Sequence, residues 1–568
     1  MGTLPQSTPP GPGNVSAQGG AARLPRPAPL EWLYLVGGLV LLHRYFWLMD
    51  DAFVYFRYAD NLLYLGLGLV FNQGEFVEGF SSPLWMLGTI AGRACGLEYE
   101  TAVRVAGTVV FLTFGYGLIW LNRRLSPPDA PVVNLPLAFL AFNYGVLCYF
   151  TSGLETPLVQ LLAVAYAVHL VRPGLLGIDV ALGLSPLVRH ELVLPLAIAL
   201  LLSWRRSGRF PWRPVLVAGA AGLGYLGFRI WYYADLFPNT FYVKDRSAYG
   251  QGLLYIHDTL VPYHGYALAA LGLVGALLAR SRGKLLGGAA RLWMLAAALP
   301  VVWYVVRIGG DARHYRYLAF PFCLVVCATG GIAESLAVAA PTRLRWAPVA
   351  GIALALVTVA AYPRQCDRHP LHPEATAVVV DGFIDAAYHR QWKEVTTFDE
   401  WRDELAPGRL RALRDAPQGF AYRGKDQLGS CVKFYRHIDS RAIQTIGFTN
   451  LLLARTRMPT GVRPAHKPGL RPLRDDLMSM YRRAPEIGPG MFRKAALAGQ
   501  APPWIVNNLE TIEVLELKMF NRHRFMENLA LAFTFPPKIE PDAHTPKVRE
   551  DPPAGRSSES GSQGDEQR

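Results

Sequence analysis

Uninterrupted apolar stretches recur from about residue 30 to about residue 362 and then stop. Stretches of about 20 apolar residues, repeated with short polar breaks, are what a bilayer demands of helices that cross it. The chain has 568 residues, of which 51% are hydrophobic and 12% aromatic, too apolar for an ordinary soluble protein of that length. The predicted fold class is therefore mainly α: a polytopic membrane protein with about eleven transmembrane helices, followed by a C-terminal extracytoplasmic mixed α/β domain. Candidate spans lie near 30–49, 101–121, 131–150, 155–171, 175–188, 190–204, 213–233, 263–279, 289–306, 315–338 and 344–362.

Basic residues orient these spans. Arg123/Arg124, Arg172, Arg205/Arg206/Arg209/Arg213, Arg280/Arg282/Lys284 and Arg343/Arg345 all fall on one side, which by the positive-inside bias is the cytoplasm. The chain then sits in the plasma or inner membrane with its N-terminus in and its C-terminal domain out. The net charge of +14 resides largely in these loops; that is a membrane-orientation pattern and points to lipid bilayer, not nucleic acid, as the partner. Residues 83–97 are apolar enough to suggest a further span, but counting it would invert every later basic cluster, so an interfacial or re-entrant helix is expected there. Four segments result: a disordered cytoplasmic tail (1–29), a transmembrane domain (30–363) with an external loop at 50–100, a soluble domain (364–535) and a disordered tail (536–568). The tails are rich in Pro, Gly and Ser and cannot bury enough apolar surface to fold.

Polar residues that are not basic collect on the external side. Asp50 and Asp51 stand where the first apolar stretch ends. As a pair feeding into "FVYFRYADN" they are candidates for catalysis, since a carboxylate in a partly desolvated cleft can take a proton from a hydroxyl; the plainer reading is that they cap a helix. Arg313, His314 and Arg316, beside Asp311 in "GGDARHYRY", put donors at the depth of a lipid phosphate, and Lys244 in "PNTFYVK" is a similar candidate. The plainer reading for these is snorkelling towards headgroups. Asn239 suits either a sugar hydroxyl or a turn after Pro238. Arg189 and Glu191 flank His190 between two short apolar segments, as a salt bridge or as part of a site. Glu78 and Glu155 could line the cavity, Glu78 beside the Asp pair. Trp85, Phe80, Tyr55 and Tyr58 suit sugar stacking or an interfacial aromatic belt.

Nucleotide-type phosphate loops and HExxH are absent from the sequence, so an enzyme outside the cytoplasm would need a lipid-linked activated donor. No complete metal-ligand set is visible, although a divalent cation beside Asp50/Asp51 stays open. Six cysteines are too few for a disulfide framework. Cys366 and Cys431, the two in the soluble part, could form a disulfide outside the cytoplasm.

The segment "MDDAFVYFRYADNLLYLGLGLVFNQGEFVEGFSSPLW" resembles the first external loop of the GT-C membrane glycosyltransferases, in particular the terminal β-(1→2)-arabinofuranosyltransferases of mycobacterial cell walls and their bacterial relatives. "LFPNTFYVK", "GGDARHYRYLAFP" and "IGFTNLLLARTRMPTGVRPAHK" are similar to the same group. The resemblance implies a GT-C-like fold, a polyprenyl-phosphate sugar donor and a cell-envelope glycan acceptor. Asp50 or Asp51 would match the family's catalytic base, while Arg313, His314, Arg316 and Lys244 would hold the donor phosphate. Glu78, Asn239, Asp311, Arg189, Glu191 and Trp85 would line the substrate site. One departure is visible: Asn450 stands where a "GxTD" pattern would carry Asp. The rival class is a polyprenyl-linked sugar transporter or flippase, for which inverted repeats would be expected; none is evident.

Overall fold

The computed structural model describes residues 25–126, 133–244, 247–261, 263, 265–281, 289–311, 315–332, 406–416, 427–429, 438, 441–444, 449–457, 471–484 and 487–541. Arg313, His314, Cys366 and Cys431 lie outside the described residues, as does the expected span at 344–362.

Helices dominate. The first is α1 (Pro29–Arg44), followed by α2 (Ala52–Leu63), α3 (Pro83–Ala94) and α4 (Tyr99–Leu125). Next come α5 (Leu135–Phe142), α6 (Tyr144–Phe150), α7 (Thr156–Val171), α8 (Leu176–Val188), α9 (Val193–Ser207) and α10 (Trp212–Tyr233). Then come α11 (Asn239–Val243), α12 (Tyr249–Leu260), α13 (Gly265–Ser281), α14 (Ala290–Ile308) and α15 (Ala319–Ala328). Among the described residues three helices are long and apolar enough to cross a membrane by length and composition: α4, α10 and α14. At 1.5 Å per residue they run about 40, 33 and 28 Å against a hydrocarbon core of about 30 Å. The apolar helices α7 and α8 are shorter.

Two expected spans change shape for identifiable reasons. The first stops at Arg44, so the Asp pair does not cap its end; Asp51 instead precedes α2. The stretch 131–150 is divided because Asn143 ends α5 and its side chain accepts from the Val146 N–H, starting α6. The segment around 83–97 forms α3, whose 12 residues span about 18 Å and cannot cross a bilayer.

The expected external loop is a packed unit. Nearly every residue of α2 is buried. Arg57 donates Nε to the Phe71 carbonyl at 2.8 Å, and Asn61 donates to Val70. Asp60 accepts from Arg93 Nε at 2.9 Å and from the Tyr99 hydroxyl at 2.9 Å, tying α2 to α3 and α4. Buried polar groups must be satisfied in this way, which accounts for Arg, Asp and Asn within an aromatic helix. The main core joins α1, α2, α4 to α9 and α12 to α15, with α8 packed on α10, and α7 on α4 and α15.

Beyond residue 405 the described residues form α16 (Pro407–Arg414), a parallel pair of three-residue strands β1 (Gln427–Gly429) and β2 (Ala442–Gln444), then α17 (Leu451–Arg455), α18 (Arg471–Arg483), α19 (Met491–Leu497), α20 (Pro503–Val506), α21 (Leu509–Met519) and α22 (Phe525–Ala532). The strand content expected of a mixed α/β domain is thus confined here to one short pair. A second core of Leu, Met and aromatic side chains holds α17 to α21 together and includes Val77 of the 50–100 segment, whereas Leu410 of α16 belongs to the main core.

Candidate functional site

The chain before the Asp pair is pinned from two directions. Trp47 donates its indole N–H to the Cys148 carbonyl at 2.8 Å, and the Met49 N–H bonds the Ser152 carbonyl at 2.9 Å. The facing turn needs glycine: Gly153 has φ +77, and a Cβ there would meet Ala52 at 2.8 Å. This close approach sets "TSGLE" against the start of α2.

Asp51 occupies the N-cap position of α2 but makes no side-chain capping bond. Its Oδ2 instead accepts from Arg316 Nη1 at 3.1 Å. The same guanidinium lies 3.4 Å from Asp311 Oδ2 and 3.7 Å from Glu155 Oε1. Glu155 accepts from Arg189 Nη1 at 2.9 Å, and Arg189 donates Nε to Glu191 at 2.6 Å. The Tyr317 ring backs the cations, with Arg189 at 4.5 Å and Lys244 Nζ at 5.0 Å from its centroid. Five parts of the chain therefore meet in one charged cluster: Asp51, Glu155, residues 189–191, Lys244, and Asp311 with Arg316 and Tyr317.

Exposure separates its carboxylates. The Asp51 side chain is 22% exposed, whereas Asp311 and Glu191 are nearly covered and Glu155 is fully buried. The accessible acid of this network is Asp51, and its Oδ1 is not part of the Arg316 bond. Burial lowers the Lys244 pKa from the ordinary lysine value, opposed by Tyr304 and Asp311 and reinforced by Arg189 and Arg316.

Backbone geometry supports the cationic edge. Tyr315, directly before Arg316, has φ +63, a sparsely populated region for a bulky residue. Its hydroxyl accepts from Gln160 at 3.0 Å in the buried core. Gly309 and Gly310 both have positive φ. The close approach they permit is to protein: a Cβ at Gly310 would meet the Tyr255 ring at 2.3 Å.

Other expected site residues do different work. Glu78 does not reach the Asp pair; it forms a salt bridge with Arg229 and accepts from the Tyr225 hydroxyl at 2.6 Å. Asn239 donates its backbone N–H to the Glu78 carbonyl at 2.9 Å and its Nδ2 to the Asn450 carbonyl at 3.2 Å. Trp85 donates Nε1 to the Gly153 carbonyl at 2.9 Å and stays half-buried. Tyr55, Tyr58 and Phe80 are core residues and offer no open ring face. Asn450 caps α17, accepting from Leu453 at 3.0 Å, a role that Asp and Asn fill equally well.

A second charged cluster has no counterpart in the sequence-based expectations. Asp235 pairs with Arg455, accepts from the Tyr242 hydroxyl at 2.7 Å and lies 3.8 Å from Lys518 Nζ. Arg455 also stacks over the Tyr242 ring at 3.3 Å. The signal available in sequence was weak: Asp235 directly follows a membrane-length apolar run, and Arg229 lies inside it, where a charge demands a partner.

Among the described residues no group of three or more His, Cys, Asp or Glu side chains is arranged to hold a metal ion. A cavity of about 160 Å³ lies between α12, α13, α14 and α15, lined by Ile256, Leu260, Leu268, Val302, Leu318 and Phe322. Leu318 follows Arg316 by two residues, so this apolar space adjoins the charged cluster.

Membrane-length apolar helices and a charged cluster with one accessible carboxylate define a membrane-associated helical protein with a candidate reaction site. Comparison with known proteins gives that class a direction. The chain is 31% identical over 330 residues to the terminal beta-(1->2)-arabinofuranosyltransferase of Mycobacterium tuberculosis, covering 49% of this chain and 51% of that protein. It is also 31% identical over 345 residues to the terminal beta-(1->2)-arabinofuranosyltransferase of Corynebacterium glutamicum, covering 49% and 47%. The resemblance carried by the Asp-Asp segment is thus matched by two curated relatives, and the chain spans about half of their length. No protein-family model matches, and no solved structure matches.

Proposed function

We propose that this chain is a membrane glycosyltransferase that moves a sugar from a polyprenyl phosphate to a glycan outside the cytoplasm, with arabinofuranose the sugar its relatives point to. The observation that carries the reading is the accessible carboxylate of Asp51, bonded to Arg316 at the junction of five polar segments. Relatives named arabinofuranosyltransferases supply the reaction class.

In the proposed reaction the acceptor hydroxyl oxygen attacks the anomeric carbon as the bond from that carbon to the phosphate oxygen breaks. An Asp of the Asp50–Asp51 pair takes the hydroxyl proton, and the phosphate leaves with the bonding electrons. Such a leaving group is already an anion and calls for cations more than for a general acid. Arg316 and Lys244 are positioned to meet it, while Glu155, Asp311 and Glu191 hold the arginines in place. The described groups of this cluster comprise four carboxylates (Asp51, Glu155, Glu191, Asp311) and three cations (Arg189, Lys244, Arg316). A bound phosphate would add further negative charge. Arg313 and His314, neighbours of Arg316 in sequence, are the proposed source of the positive charge that balances it. The apolar cavity lined by Leu318 has room for the first isoprene unit of a prenyl chain.

The test is transfer by purified protein in nanodiscs, offered polyprenyl-phosphate arabinofuranose and an arabinan oligosaccharide, with the product read by mass spectrometry. The reading expects acceptor extended by one pentose. Movement of the lipid-linked sugar across a vesicle bilayer with no extended acceptor would instead favour the transporter.

A further inference from the structure

The end of α10 at Tyr233 carries a short helix whose outer face has no protein against it among the described residues. Asn528 of α22 is buried and donates Nδ2 to the Trp231 carbonyl at 2.6 Å; Asn521 donates Nδ2 to the Tyr232 carbonyl at 3.1 Å. Those carbonyls belong to the last turn of α10, where the helix itself offers no partner. The two asparagines therefore lock α22 onto the end of the membrane-length helix. His523, with φ +56, stacks on the Tyr232 ring at 4.7 Å between them.

The opposite face is apolar and open. Phe525 is 47% exposed, Met526 73%, Phe533 60% and Phe535 58%. They continue the surface of Trp231 on α10, a helix with only 6% of its apolar window buried inside the protein. That surface of α10 is what a bilayer covers. Around the patch Arg522, Arg524 and Lys538 are exposed, as is Glu527 on α22 itself, whose carboxylate pairs with Arg524 at 2.9 Å, so the rim carries more cations than anions. Aromatic and Met side chains rimmed by cations are the composition of a segment lying in the headgroup and acyl boundary. An apolar patch of this kind on a protein surface marks a partner, and its continuity with α10 together with the cationic rim selects lipid.

We infer that residues 525–535 lie in the outer interface of the bilayer and fasten the C-terminal helices to it, with phospholipid as the partner. A lipid contact here would hold α17 and α21, which carry Arg455 and Lys518, at a fixed height over the charged cluster beside the membrane.

The experiment uses the full chain in phosphatidylcholine/phosphatidylglycerol nanodiscs, with reactive cysteines replaced by serine and a nitroxide at Met526→Cys. Leu216→Cys on the exposed face of α10 is the lipid reference, and Glu540→Cys, an exposed charged position, is the aqueous one. Power saturation against oxygen, which partitions into lipid, and a water-soluble nickel chelate reads the depth. The label at 526 is expected to resemble 216, with oxygen accessibility exceeding nickel accessibility several-fold. Nickel accessibility equal to that at 540 would overturn the inference. Exclusion of both reagents with dipolar broadening would also overturn it, assigning the face to a second copy of the chain.

Discussion

The two charged clusters of this protein are built from similar groups and are closed to different degrees. At the junction with the C-terminal helices, Asp235 sits between Arg455 and Lys518, and all three are almost fully buried. One carboxylate faces two cations, and the Tyr242 ring and hydroxyl complete the enclosure. At the membrane-helix ends, Arg316 reaches three carboxylates, and one of them, Asp51, opens to the outside. Enclosed charges can only hold parts together. An accessible carboxylate held by a buried guanidinium can also react. Charge alone does not distinguish the two clusters; the exposure of Asp51 does.

The largest expected effect comes from breaking the open cluster at its hub. Arg316→Met leaves Glu155 and Asp311 with a lost partner in a buried setting; removing one member of a buried pair costs about 3–5 kcal/mol. A thermal-unfolding shift in detergent should show it, together with loss of any transfer activity. A stability unchanged from wild type would mean the contacts of Arg316 are incidental.

Arg455→Met attacks the closed cluster. The loss should be smaller than the about 3–5 kcal/mol of an isolated partner, because Lys518 remains beside Asp235. Limited proteolysis, read as earlier cleavage of the segment after residue 400, should report loosened docking while the membrane helices persist. Equal destabilisation by both variants would erase the proposed distinction.

A pH series sharpens the same contrast. Burial lowers Lys518 from the ordinary value of 10.5 to about 8, against the opposing pull of Asp235. Between about pH 8 and 10.5 the unfolded chain binds this proton while the folded chain does not, so its contribution makes stability rise with pH across that window. Below about pH 8 both states are charged and the slope vanishes. The difference between wild type and Lys518→Met, followed from pH 7 to 10.5, should therefore shift in favour of wild type as pH rises. A flat difference would contradict it.

The smallest effect is expected at Asn450. Asn450→Asp should leave stability and activity near wild type because the cap is kept, and Asn450→Ala should cost about 1 kcal/mol. A gain of function by Asn450→Asp would show that the departure from "GxTD" matters beyond capping.

Much of the open cluster was legible in sequence. Asp51, Glu155, Arg189, Glu191, Lys244, Asp311 and Arg316 stand at the ends of apolar stretches, where a charge abutting hydrocarbon is costly unless employed. Their pairing was not legible, because Asp51 and Arg316 are 265 residues apart. The closed cluster is hidden for the same reason, since Arg455 in "LLLARTR" and Lys518 in "VLELKMF" look like the single surface charges of short amphipathic helices. Glu78 was assigned to the nearest acids in sequence, whereas its partner Arg229 was hidden inside an apolar run. Helix limits failed where a single side chain intervened, as Asn143 does between α5 and α6.

If the open carboxylate is the base, it governs the initial rate of pentose transfer from polyprenyl-phosphate arabinofuranose, which is measured for Asp50→Asn and Asp51→Asn proteins in nanodiscs. Loss of a general base removes about 10²- to 10⁴-fold in rate. The account predicts a fall of that size in at least one of the two variants, with thermal stability retained. Transfer at the wild-type rate by both would contradict it.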